Sequence, residues 1–171
     1  RTSANNEIQV RGQCLLPGFI DLHTHGAAGV DLMSATMEDF QRVSKFFAIH
    51  GVTGFLATTW SASADVIRQT LQTAQEVMGR EEGAALLGIH LEGPFINPVR
   101  AGAQSPQQIR PARPEEVLPY LDSGLVKIVS LAPEIEENRW LIHACVERGI
   151  VVSAGHSDAT YADMRKAVSA G

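Results

Sequence analysis

Apolar runs of strand length alternate with segments that have the period of an amphipathic helix. The runs are nearly continuous hydrophobic residues, which is typical of parallel strands covered on both faces. Each repeat takes about 30 residues, the length of a strand with its helical crossover. The pattern predicts an α/β fold with five β/α units and leaves open whether the sheet is doubly wound or part of a barrel. The predicted strands are 15–22, 52–59, 85–93, 126–133 and 150–155, and the helices that follow them are 38–50, 64–78, 114–121, 135–148 and 161–170.

The composition fits a globular domain without an extended charged surface. The 171 residues are 44% hydrophobic and carry a formal net charge of −5. This balance gives no electrostatic reason to expect nucleic acid or an anionic membrane as a partner. No apolar stretch is long enough to span a bilayer, and residues 1–13 lack a signal-peptide core, so we expect a cytoplasmic protein. Cys14 and Cys145 are too few for a disulfide framework, and we interpret both as reduced thiols packed as small hydrophobes.

Histidines and a carboxylate fall at the ends of two predicted strands. Alternate side chains of a strand share a face, so in FIDLHTH the side chains of Asp21, His23 and His25 point to one side. The same alternation in GIHLEG puts His90 and Glu92 on one face. We expect His90, one layer deeper than Glu92, to support a ligand rather than bind an ion. Asp21 either orients a ligand or fills the interior.

A further histidine, His156, follows the last predicted strand in SAGHSDA. With it, four candidate groups lie at the carboxyl ends of predicted strands, the edge at which α/β folds build their sites. Imidazole nitrogens and a carboxylate are the ligands that a zinc-like divalent ion takes. The sequence therefore predicts a divalent metal site formed by His23, His25, Glu92 and His156.

Three motifs carry a resemblance to a known family. They are PGFIDLHTHGAAG at 17–29, HLEGPFINPVRAGAQ at 90–104 and SAGHSDA at 153–159. Together they are similar to the N-acetylglucosamine-6-phosphate deacetylases of the amidohydrolase superfamily, and HLEGPF with its following loop is far more specific than the His-x-His pair. The resemblance implies a TIM-type (β/α)8 metal-dependent hydrolase barrel, of which residues 15–171 hold about the first five β/α units. Residues 1–14 would be the tail of a small β-sandwich segment.

The resemblance also implies how the metal is bound. Glu92 and His156 match ligands of the ion that is found throughout the family, whereas His23 and His25 match the pair that holds a second ion in its binuclear members. The implied cofactor is a divalent metal, with zinc preferred over iron or another divalent ion. One or two ions would be bound.

The implied substrate is a phosphorylated amino sugar. Members of the family hydrolyse the N-acetyl group of N-acetylglucosamine 6-phosphate in amino-sugar catabolism, giving glucosamine 6-phosphate and acetate. We also expect the full-length protein to be a homodimer. Ala103 and Gln104 fall on the loop positions that meet the sugar. The catalytic aspartate and a further metal histidine of the family come from later strands and have no counterpart in residues 1–171. We therefore expect no catalytic acid or base in this segment and no activity from the segment alone.

Two other functions stay open at this point. A cyclic-amide hydrolase of the dihydroorotase or hydantoinase kind shares PGxIDxHxH, but it bridges its metals with a modified lysine at the end of the fourth strand. Here Lys127 lies at the beginning of that strand, whereas Glu92 can bridge from the third. A non-catalytic metal-binding module is the other alternative, and the substrate-loop match RAGAQ argues against it.

Overall fold

A computed structural model of the chain describes residues 9–171 and contains one parallel sheet flanked by helices. The predicted β-sandwich tail, 1–14, lies mostly outside the described residues. Within residues 9–171, no helix has the length and apolar character needed to cross a bilayer. The strands are β1 (Phe19–Thr24), β2 (Val52–Thr58), β3 (Ala85–Glu92), β4 (Val126–Leu131) and β5 (Val151–Ala154), and the α-helices are α1 (Met37–Ile49), α2 (Ala64–Val77), α3 (Pro114–Leu121), α4 (Arg139–Glu147) and α5 (Tyr161–Ala170).

The order of the strands decides between the two sheet types. All neighbouring strands are parallel, and the order is β1-β2-β3-β4-β5 without a reversal. A doubly wound sheet reverses its order at a switch point, whereas a barrel wall adds each new strand beside the last. The curled sheet is therefore the wall of a partial (β/α)8 barrel, and the predicted fold class is confirmed.

The strand register brings the carboxyl ends of the strands to one edge. Thr58 of β2 pairs with His90 of β3, and Glu92 pairs with Ser130 of β4, which in turn pairs with Ser153 of β5. Residues at the ends of separate strands thus become neighbours in space. This edge carries the candidate site.

Two predicted elements begin four residues earlier than the observed ones, and the other predicted boundaries agree with the structure within two residues. The first strand begins at Phe19 rather than at residue 15, because Pro17 has no N–H to donate to a ladder and the exposed residues before it meet no partner strand. The fourth helix begins at Arg139 rather than at residue 135. Before it, a 3-10 turn turns the buried Asn138 inward, where its side chain donates to the carbonyls of Phe95 and Ala132.

The two cysteines lie in different environments. Cys145 on α4 is fully buried, as expected, and burial raises the pKa of its thiol to about 12. Cys14 is exposed, so the prediction that it packs as a small hydrophobe is wrong. It precedes β1 in a stretch, 11–18, whose residues are all exposed and belong to no element of the sheet.

Helix α1 shows how the core is built. Thr36 caps its first turn in a reciprocal capping box with Asp39, which fixes where the helix begins. The helix then buries Phe40 and Phe47 on one face, and the ring of Phe47 meets that of Phe55 on β2 at a centroid distance of 5.0 Å. The apolar face of α1 thus covers the outer face of the sheet.

Replacing Phe40 with alanine should lower the free energy of unfolding by about 3–5 kcal/mol, since this fully buried ring would leave a cavity. Phe46 lies on the same helix but is 36% exposed, so Phe46→Ala should cost clearly less. Urea unfolding of the two variants measures the difference. Equal losses would contradict the assignment of the buried face.

Candidate metal centre

The histidines at the carboxyl end of β1, His23 within it and His25 directly after it, are held in place by the neighbouring strand. The backbone N–H of Thr24 donates to Oγ1 of Thr58 at 2.9 Å. Next to it, Nδ1 of His25 lies 3.1 Å from the carbonyl oxygen of Thr58. The strand end thereby projects His23 and His25 toward the end of β3, with their ring centroids 5.1 Å apart.

The Glu92 carboxylate lies at the centre of the histidines selected from the sequence. Its Oε1 atom is 3.1 Å from Nε2 of His156 and 3.8 Å from Nε2 of His23. Its Oε2 atom is 3.2 Å from Nε2 of His25. Only 7% of Glu92 is exposed, whereas about half of the His23 side chain is. The structure therefore brings together all four predicted ligands, with His23 on the open side.

The hydrogen bonds of His25 and His156 define which nitrogen of each ring carries the proton and which one faces the Glu92 carboxylate. A carbonyl oxygen only accepts, so Nδ1–H of His25 donates to Thr58 and Nδ1–H of His156 donates to Arg100, at 2.9 Å. In the neutral rings, each Nε2 then directs a lone pair at an oxygen of Glu92. Lone pairs that face each other at about 3 Å call for a cation between them, or for protonated rings.

The donor set therefore fits a divalent cation. The ligand atoms of His23, His25 and Glu92 lie within 4.8 Å of one another. Imidazole and carboxylate suit zinc and the other first-row divalent ions, and backbone carbonyls that fix the tautomer are a regular feature of such sites.

Electrostatics keep Glu92 ionised. Burial raises its pKa, but where the rings are protonated, the hydrogen bond from His25, the charge of the nearby His23 and the hydrogen bond from His156 together lower the pKa below its ordinary value. A metal ligand must be deprotonated, so the carboxylate is in the state that binding requires.

His90 uses both ring nitrogens inside the protein. Its Nδ1 lies 3.0 Å from the carbonyl oxygen of Leu22, and its Nε2 lies 2.8 Å from Oγ of Ser130. With Nδ1 donating to the carbonyl, Nε2 accepts the hydroxyl proton of Ser130, so neither nitrogen is left for an ion. The ring instead meets that of His23 edge-on at 5.0 Å. Asp21 contacts a ligand residue too, because its carboxylate accepts from the backbone N–H of His23.

Gln104 lies behind the carboxylate and is almost completely buried. Its Nε2 donates to Oε2 of Glu92 at 2.7 Å, and its Oε1 accepts from the backbone N–H of Ser61 at 2.6 Å. The second bond fixes the amide so that its NH2 group faces Glu92. Its neighbour Ala103 is exposed on the loop. The contact between Gln104 and Glu92 was not foreseen from the sequence, which indicates only that a loop follows β3.

Trp60 is a residue of the site that the sequence did not predict. Its ring stacks on that of His25, with centroids 3.5 Å apart and planes within 10°. The indole covers one face of the imidazole and limits its rotation. The only available signal was an aromatic residue two positions after the end of β2, within TTW.

Gly93 makes the sharp exit from β3 that places Glu92. Its φ of +70° favours glycine, and a Cβ at this position would lie 2.2 Å from Oγ of Ser61. That hydroxyl is buried and has no hydrogen-bond partner among the described residues. A side chain at 93 would therefore disturb the same segment that holds Gln104.

Lys127 lies away from the site, at the second residue of β4 and therefore near the amino end of that strand. Its side chain is exposed and donates to the carbonyl of Gly124 at 2.8 Å. It is not at the edge where Glu92 and the histidines meet, so the lysine of the cyclic-amide hydrolases has no match at this position.

A family profile described as "Amidohydrolase family" matches residues 14–171. The chain belongs to the amidohydrolase family, and membership implies a divalent metal ion. It is 44% identical over 163 residues to the N-acetylglucosamine-6-phosphate deacetylase of Bacillus subtilis, covering 92% of this chain and 41% of that protein. The human enzyme of the same name is 35% identical over 177 residues, covering 99% and 42%.

Solved structures give the same picture. N-acetylglucosamine-6-phosphate deacetylase from Thermotoga maritima superimposes with a TM-score of 0.83 at 39% identity, covering 97% of this chain and 44% of that one. A mutant of the Mycobacterium smegmatis enzyme, in complex with N-acetyl-D-glucosamine-6-phosphate, gives 0.83 at 35% identity, covering 91% and 40%. The chain thus spans about two fifths of the length of these relatives.

Burial lowers the pKa of His90 below its ordinary value of 6.5 and outweighs the opposing hydrogen bond to Leu22. The unfolded chain therefore binds a proton near pH 6.5 that the folded metal-free protein does not. Stability should fall as the pH drops from about 6.5 through the folded pKa. His90→Gln should reduce this dependence in urea unfolding at pH 7.5 and 5.5, whereas His143→Gln, at an exposed site on α4, should leave it unchanged.

Gln104→Ala should raise the Kd for Zn²⁺ by about 10- to 100-fold, because the Glu92 carboxylate loses the donor that orients it. Competition with a chromophoric chelator measures this constant. The matched control is Gln107→Ala, at an exposed position of the same loop. A wild-type Kd in the Gln104 variant would show that this amide does not support the ligand.

Proposed function

We propose that the full-length protein hydrolyses the N-acetyl group of N-acetylglucosamine 6-phosphate, giving glucosamine 6-phosphate and acetate. The observation that carries the proposal is the convergence of three imidazoles on Glu92 at the carboxyl edge of the barrel wall. The names of the relatives support the choice of substrate.

His23, His25, Glu92 and His156 would hold the metal, which we propose to be zinc, as one ion or two. When bound, a divalent ion lowers the pKa of its water and polarises the acyl oxygen of the amide. The chain's own residues prepare the site for it. Thr58 and Arg100 fix two imidazole tautomers through their carbonyls, and Gln104 orients the carboxylate.

The open side of the site is where the acetamido group would approach. His23 is the most exposed of the four ligands. In the loop after β3, the exposed Ala103 directly precedes Gln104. The backbone N–H of Ala103 is available as a donor to the sugar in this proposal. The Gln104 amide is already engaged by Glu92 and Ser61, so we expect it to act on the sugar mainly through the position of Glu92.

The two arginines of this loop are engaged within the chain. Arg110 donates to Glu116 and to the carbonyl of Ala62, and Arg100 donates to Asp158. We therefore expect the sugar phosphate to be bound largely by other groups of the full-length protein. The carboxylate that transfers protons as general acid and base is likewise expected outside residues 1–171.

Several finer statements belong to the same proposal. They are a cytoplasmic location, a homodimer of the full-length chain, and the assignment of residues 1–14 to a β-sandwich segment that precedes the barrel. The location accords with the proposed role as an enzyme of amino-sugar catabolism.

The full-length protein should show a higher kcat/KM for N-acetylglucosamine 6-phosphate than for N-acetylglucosamine, with acetate release as the measurement. Glu92→Gln should reduce it by about 100-fold or more, since the ligand charge at the site is lost. Glu76→Gln, at an exposed position of α2, is the matched control.

Three outcomes would overturn the assignment. Equal rates with and without the phosphate would remove the phosphosugar substrate. A preference for dihydroorotate would favour a cyclic-amide hydrolase, and bound metal without hydrolysis of any N-acetyl sugar would favour a non-catalytic module.

A further inference from the structure

Glu134 forms a second carboxylate hub, on the loop that follows β4. Its Oε1 atom accepts from Nδ2 of Asn97 at 2.9 Å and from the backbone N–H of Asp158 at 2.7 Å. Its Oε2 atom accepts from Oγ of Ser157 at 2.6 Å. One half-buried carboxylate thereby joins the loops that follow β3, β4 and β5.

The residues that donate to Glu134 flank His156, a predicted metal ligand, whereas Glu134 itself does not contact His156. Ser157 and Asp158 directly follow His156 in the chain. Asn97, from the other side, donates its backbone N–H to the carbonyl oxygen of His156 at 2.9 Å. The ring of His156 is held by the same loop, because its Nδ1–H donates to the carbonyl of Arg100. His156 is thus bracketed on both sides by residues that depend on Glu134.

The backbone of His156 needs such support. Its φ is +50°, in the left-handed region that residues other than glycine rarely adopt. A strained conformation of this kind persists only where the surroundings determine it. The exposed ion pair between Arg100 and Asp158 adds a further tie between the two loops.

We propose that Glu134 is a positioning residue for His156: by holding Asn97, Ser157 and Asp158 together, it keeps the His156 imidazole aimed at the metal centre. This inference rests on the proposed function in one respect, since it takes His156 to be a metal ligand. The positional part stands on the hydrogen bonds alone.

The charge of Glu134 strengthens this arrangement. Burial raises the pKa of its carboxyl, but hydrogen bonds from Ser157, Asn97 and the backbone of Asp158 lower it below the ordinary value. An ionised carboxylate makes shorter and stronger hydrogen bonds than a neutral acceptor does.

The first test measures metal binding by the full-length protein. Glu134→Ala should raise the Kd for Zn²⁺ by about 10- to 100-fold and shift the visible absorption of the Co²⁺-loaded form, because His156 loses its orientation. Glu134→Gln should largely restore both, since its amide oxygen can accept from Asn97 and Asp158 while its NH2 donates to the Ser157 hydroxyl. Glu137→Ala, exposed on the adjoining 3-10 turn, should match the wild type.

The second test is hydrogen exchange in the metal-free protein. Glu134→Ala should speed exchange of the Asp158 and Asn97 amides, and the glutamine variant should not. If the alanine variant fails to fold, Ser157→Ala removes one donor and should raise the Kd for Zn²⁺ about 2- to 5-fold, as one hydrogen bond is lost.

The two readouts separate the two hypotheses. If Glu134→Ala speeds exchange but the wild-type protein binds no Zn²⁺, the proposed metal site is overturned and the positioning of His156 by Glu134 stands. Unchanged exchange together with an unchanged Kd in Glu134→Ala or Ser157→Ala would overturn the role of Glu134. Failure of glutamine to restore the Kd would show that the negative charge, rather than the hydrogen-bond geometry, is what His156 requires, and would overturn the inference in its stated form.

Discussion

An ionised carboxylate that is almost out of reach of water is the constraint around which this structure is organised. Removing the Glu92 charge from solvent costs free energy unless donors or cations surround it. The fold supplies partners from separate segments: His23 and His25 from the carboxyl end of β1, Gln104 from the loop after β3, and His156 after β5. Each partner has a second contact that fixes it. The site is therefore a consequence of how the buried charge is satisfied.

The parallel sheet makes this possible with little local specialisation. Since successive strands are neighbours in one register, side chains far apart in sequence meet at the carboxyl edge. A few local devices then set the exact directions. Glycine at 93 permits the turn after Glu92, and a left-handed backbone at 156 turns the last histidine back toward the site. These devices are strained or conformationally special, as is usual where a fold carries a functional site.

Much of the fold and of the candidate site follows from patterns that are local in the sequence. Strand alternation places His23 and His25 on one face, and the repeating β/α rhythm puts Glu92 and His156 at the same edge. What could not be predicted depends on the paths of loops. Whether the amide of Gln104 would point at the sugar or at Glu92 is decided by the N–H of Ser61, which lies 43 positions away in the chain.

The stacking of Trp60 on His25 has a consequence for how the site responds to occupancy. The electron-rich face of an indole is attracted to positive charge, so its contact with the imidazole strengthens when that ring is protonated or donates its lone pair to a cation. The aromatic cover therefore contributes free energy to cation binding without supplying a ligand. It also places a fluorophore in van der Waals contact with the ring whose electronic state changes. The protein thus carries, at its own centre, an optical reporter of whether that centre is filled.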